Sequence, residues 1–93
     1  MQDMKALKLE GRTHEIIEIE NTLEALQAAV GGYIETVRLR VGDAVMIVNE
    51  EGLLLGLPYN TVASEFAGQP IVGTAIIVGV NGEEFTDIPD VIA

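Results

Sequence analysis

The chain has 93 residues, 48% of them hydrophobic, with no cysteine, no tryptophan and a formal net charge of −10. That length holds one domain with one modest core, and the lack of cysteine removes disulfides, thiol nucleophiles and thiolate metal sites. All five basic residues (Lys5, Lys8, Arg12, Arg38 and Arg40) precede Val41, so the average field repels DNA, RNA and anionic membranes.

The start of the chain, Met1 to Lys8, has no apolar core of the kind a signal peptide carries, and the longest apolar run, Pro70 to Val80, is too short to span a bilayer. A cytoplasmic location is therefore expected. Lys5 to Leu9 places Leu7 and Leu9 on one face, and Gly11-Arg12 supplies a turn. His14 to Glu20 then resumes extended structure, with Glu15, Ile17 and Ile19 on one face and His14, Ile16, Glu18 and Glu20 on the other. Near-alternation and β-branching predict a strand hairpin. Asn21-Thr22-Leu23-Glu24 reads as a helix start with Asn21 as cap and Glu24 closing the box. Leu23, Leu26 and Val30 share a helical face, and Gly31-Gly32 ends the helix.

Tyr33 to Arg40 is a predicted strand, with Val37 and Leu39 facing one way and Thr36, Arg38 and Arg40 the other. Ala44 to Val48 is apolar on both faces and fits a central strand covered on both sides. Glu50-Glu51-Gly52 is expected to turn the chain into a further strand, Leu53-Leu54-Leu55, which Gly56 and Pro58 end. Asn60 or Thr61 caps a brief helix through Val62, Ala63 and Phe66, closed by Gly68. Ile71 to Val80 is the second central strand, with Gly73 marking a bulge or a close backbone approach. Asn81-Gly82 is a hairpin dipeptide, and the tail from Phe85 to Ala93 is expected to add a turn of helix. Short connections between strands make this an α+β domain over residues 1–93, with a mostly antiparallel mixed sheet of about five to six strands and two short helices on one face.

Several blocks carry a resemblance: Leu23-Glu24-Ala25-Leu26-Gln27, Val30-Gly31-Gly32-Tyr33-Ile34-Glu35, Val48-Asn49-Glu50-Glu51-Gly52, Gly56-Leu57-Pro58-Tyr59-Asn60, and Ile71 to Gly79. In this order they are similar to a family catalogued as domain of unknown function 3846, small proteins of phages, plasmids and Firmicutes or related gut bacteria. The resemblance runs from about Met4 to Phe85. It implies a mobile-element setting, in which many small accessory proteins antagonise host defence, and it implies no activity.

Catalytic signatures are sparse. One histidine, His14, without cysteine cannot build the usual zinc site, and it reads as a surface or edge histidine. Ser64 is the single serine, lacks the Gly-x-Ser-x-Gly elbow and reads as an exposed helix residue. The pairs Glu50-Glu51 and Glu83-Glu84 sit in turns, where adjacent carboxylates are solvated charges rather than an acid/base dyad. Gly31-Gly32 ends a helix, whereas a phosphate loop opens one. A non-enzymatic protein with no cofactor and no metal is the expectation.

Binding remains. Arg38 and Arg40 project from one strand face and form either an anion clamp or partners for Glu18 or Glu20 on an adjacent strand. Tyr59 offers a stacking surface, and Asn60 lies at a helix N-terminus, itself an anion-favouring position. The expected ligand site is therefore Arg38, Arg40, Tyr59 and Asn60, taking a small anionic, nucleotide-like ligand and requiring that the four converge. The alternative is a protein–protein inhibitor with an acidic, DNA-mimic-like surface. Gly-rich sheet edges leave a homo-oligomer open.

Overall fold

The structure is a computed structural model that describes residues 3–92. β1 (Asp3–Glu10) and β2 (Thr13–Glu20) form the expected hairpin, in register from Asp3 opposite Glu20 to Glu10 opposite Thr13. Helix α1 (Leu23–Val30) follows. Its N-cap is Thr22, one residue later than expected: the Thr22 hydroxyl accepts from the Ala25 amide, while Asn21 donates its side-chain amide to the Phe85 carbonyl. Gly31 closes the helix in the left-handed region, with φ +83°.

β3 (Ile34–Arg38), β4 (Ala44–Asn49), α2 (Thr61–Ala67), β5 (Ala75–Asn81) and β6 (Glu84–Thr86) complete the order. Every ladder is antiparallel. The six-stranded sheet runs β2-β1-β5-β4-β3, and β6 pairs with the far end of β5. The α+β class stands. Asn60 is the cap of α2, its side-chain oxygen accepting from the Ala63 amide.

The placement of the helices on one face is corrected. α1 packs Leu26 and Val30 with Met4, Ala6, Val45, Ile47, Ile76 and Val78. α2 packs Ala63 on the other side, with Leu7, Leu9, Met46, Val48, Ile77 and Ile88. The cause is the double-faced apolarity of β4 and β5, whose alternate side chains feed two separate clusters. One layer of helix would leave the second face in water, forfeiting roughly 1.5–3 kcal/mol for each large side chain exposed.

Two further expectations fail. Leu53-Leu54-Leu55 forms turns and not a strand, and the tail forms β6 followed by a buried Ile88 rather than a helix (Ala93 lies outside the described residues). The second central strand begins at Ala75 rather than Ile71. Before it, Val72 makes an isolated bridge to Tyr59. No helix among the described residues is long and apolar enough to cross a membrane.

Candidate functional site

One end of the sheet gathers the Gly11-Arg12 turn, the end of α1, the 49–60 stretch and the approach to β5. Buried Asn49 organises it: its side-chain amide donates to the Val30 carbonyl at 3.1 Å, and its side-chain oxygen accepts from the Glu51 amide at 2.7 Å. That Asx-type contact starts a helix-like turn in place of a strand, continued by Leu55 donating to the Glu51 carbonyl at 2.9 Å and Leu57 to the Gly52 carbonyl at 3.0 Å. Gly32 is required by proximity, since a Cβ there would lie 2.9 Å from the Asn49 side-chain nitrogen.

The outcome is an ordered turn carrying three leucines with their side chains in water. Leu53, Leu54 and Leu55 are 82%, 86% and 58% exposed. Nearby Tyr59 is exposed as well, while its neighbour Asn60 is completely buried. The sequence reading missed this turn because three leucines resemble a strand. The available signal was Asn49 ahead of Glu50-Glu51-Gly52, a turn-initiating asparagine before residues with good helix propensity.

Asn60 is closed to a ligand by complete burial, and each of its polar groups is bonded within the fold. Its side-chain amide donates to the carbonyls of Leu9 (2.9 Å) and Gly73 (2.8 Å), and its side-chain oxygen accepts from the Ala63 amide (3.1 Å). Its backbone N–H donates to the Ile71 carbonyl, and its carbonyl accepts from the amide and hydroxyl of Ser64. Ser64 is accordingly buried rather than exposed, and its hydroxyl also accepts from the Ile71 amide at 2.8 Å. Both residues are structural ties.

The four expected ligand residues do not converge. Arg38 lies at the other end of the sheet, lining a hollow of about 310 Å³ with Asp43, Asn81 and Gly82. Tyr59 and Asn60 sit beside Val72 and Gly73, before the first residue of β5. The length of β5, about 20 Å at a strand's rise per residue, separates the two groups. Arg40 is exposed in the loop joining β3 to β4. Pairing of either arginine with Glu18 or Glu20 is ruled out by topology, because β2 and β3 are opposite edges of the sheet. Among the described residues the ion pair within 4.0 Å is Lys8 with Glu10, at 3.6 Å.

All 15 carboxylate side chains are exposed. They spread over both faces, both edges and both ends rather than along one ridge: Glu24 is on α1, Glu65 on α2, Glu50 and Glu51 at one end, Glu83 and Glu84 at the other. His14 is exposed on the edge strand β2. No group of three or more His, Asp or Glu side chains among the described residues is placed to hold a metal ion.

A groove of about 380 Å³ lies between β3–β4 and the leucine turn. Val37, Val48 and Ile71 give it an apolar lining, Glu35, Glu50 and Glu51 add carboxylates, and no basic residue lines it. The chain belongs to the family described as domain of unknown function DUF3846, whose model matches residues 4–93. Neither the curated proteins nor the solved structures contain a match.

Proposed function

We propose that this protein acts by binding a protein partner, as a cytoplasmic antagonist in the mobile-element setting that its family resemblance implies, and not by catalysis. The observation that carries the reading is the leucine turn: three large apolar side chains held in water by a hydrogen-bonded scaffold. Exposing such side chains together stabilises nothing in the free chain, and apolar patches framed by polar residues mark contact surfaces. The polar frame here is Glu50 and Glu51. The dispersed carboxylates favour contact through this local patch over imitation of a phosphate backbone. The single serine supports the same reading, because its hydroxyl is committed to backbone groups.

The test is affinity capture followed by reconstitution of a stoichiometric complex with the purified partner, comparing the wild type with a Leu53, Leu54, Leu55→Ser variant. The reading expects at least a tenfold loss of affinity in the variant. A variant that binds as tightly as the wild type would contradict it.

A second reading keeps the small anionic ligand but moves it. Arg38 is exposed beside a hollow, and neither it nor Arg40 has a carboxylate within 4.0 Å among the described residues. Calorimetry with a nucleotide panel should then give heat that Arg38→Ala and Arg40→Ala each abolish. No heat from any nucleotide would exclude it.

A further inference from the structure

β3 is the last strand of the sheet, so one of its edges faces no other strand among the described residues. Which backbone groups that edge offers follows from two hydrogen bonds. Glu50 donates to the Tyr33 carbonyl at 2.8 Å, and Leu39 donates to the Ala44 carbonyl at 3.2 Å. With the register Ile34–Asn49 to Arg38–Val45, antiparallel alternation turns the backbone groups of Tyr33, Glu35, Val37 and Leu39 toward β4. It turns those of Ile34, Thr36 and Arg38 outward.

The groove adjoins this edge. Glu35 and Val37 line it from β3, Val48 from β4, and Glu50 and Glu51 from the leucine turn. A strand added beside β3 would therefore send alternate side chains toward an apolar lining with three carboxylates and no cation.

We propose that the β3 edge takes an extended, basic segment of a partner protein as an additional strand. The N–H and C=O groups of Ile34, Thr36 and Arg38 would form the ladder, and the groove would receive alternating lysine or arginine and apolar side chains. Charge decides the occupant: the lining is acidic and the whole chain carries −10, so a second copy is repelled and a cationic segment attracted. This deepens the partner-binding reading and rests on it, since it names the mode and chemistry of the contact.

The opposite edge, β2, offers a longer strand. Its face toward α2 carries His14, Ile16, Glu18 and Glu20, and the hollow at its start is lined by charged and polar side chains from Lys8, Glu10, Thr13, His14 and Glu15. Charged side chains of this sort discourage strand addition.

The experiment uses the full chain and a capped probe peptide that alternates threonine with lysine and valine, with a control peptide in which glutamate replaces lysine. Amide hydrogen exchange, read residue by residue, should slow at least tenfold at Ile34, Thr36 and Arg38 when the lysine peptide saturates. The glutamate peptide should bind at least tenfold more weakly. Thr36→Pro removes one outward N–H while leaving the β4 side of the ladder intact, a position where an edge strand tolerates proline; it should weaken the lysine peptide at least tenfold. A Glu35→Lys, Glu51→Lys variant tests the charge term independently of that backbone change and should show a similar loss.

Unchanged exchange at the three amides would overturn the proposal, as would protection confined to Thr13–Glu20 or self-association through β3. The Leu53, Leu54, Leu55→Ser comparison is independent of the outward amides. If it shows partner binding while the edge remains unprotected, the strand-addition mode fails and the partner-binding reading survives.

Discussion

At Asn60 one side chain ties together three segments distant in sequence: β1 through Leu9, the approach to β5 through Gly73, and the first turn of α2 through Ala63. Asn60→Asp replaces an amide that donates to two carbonyls with a carboxylate that donates only when protonated. Burial and the facing carbonyl dipoles then raise the folded-state pKa of the new carboxyl above its unfolded value. With a raised folded pKa, stability is fully kept below the unfolded value near 4 and lost as pH rises through the folded one. Urea denaturation should show the deficit of this variant against the wild type widening from about pH 4 to pH 7. A deficit that does not change with pH would count against the hydrogen-bond assignment.

The residue type was legible as a helix cap, and it is one. Its complete burial was not legible, because the two carbonyls that hold it come from residues 51 and 13 positions away. Ser64 was hidden differently: its hydroxyl is held by the Asn60 carbonyl and the Ile71 amide, a return of the chain after α2 that the helix pattern alone does not show.

Among elements, the β1–β2 hairpin, both helices and the two central strands were visible from period and punctuation, since those signals are local. The two helices were expected on one face and lie on opposite ones, although β4 and β5 already carried the answer in being apolar on both faces. The leucine run went wrong for a different reason: three apolar residues fit strand and helical turn equally, and Asn49 decides between them by accepting from the Glu51 amide.

The β5–β6 hairpin was also not anticipated in full. Gly82 occupies the first of its two central positions with φ +66°, and the strand resumes at Glu84. Gly79 is a tighter constraint, because a Cβ there would collide with the Asp87 carbonyl. Gly79→Ala is therefore expected to cost about 2 kcal/mol or more through overpacking against backbone. Gly82→Ala, with nothing within 4 Å of the added Cβ, should cost about 1 kcal/mol from its positive φ alone. Chemical denaturation of the two variants checks the order, and a larger loss for Gly82→Ala would reverse it.

At the scale of the whole molecule, 15 exposed carboxylates face five basic side chains within extents of 32 × 26 × 22 Å. Self-repulsion on so small a surface opposes compaction, and salt screens it, with a Debye length of about 10 Å at 0.1 M. The melting temperature is expected to rise between low salt and 0.5 M sodium chloride. A fall would mean that favourable ion pairs outweigh repulsion.

Residues 49–60 divide into an inward set and an outward set. Asn49 and Asn60 face inward and hold the end of the sheet, while Leu53, Leu54 and Leu55 face outward and contribute little to the fold. Thermal denaturation of Asn60→Ala beside Leu53, Leu54, Leu55→Ser separates the two sets. Asn60→Ala, which strands the buried Leu9 carbonyl, the part-buried Gly73 carbonyl and the Ala63 amide, should lose about 3 kcal/mol, lowering Tm by roughly 12 °C or more for a domain this size. The leucine variant should melt within about 3 °C of the wild type, as substitutions on a free surface do. Comparable losses in the two variants would mean that the leucines belong to the core and that no such division exists.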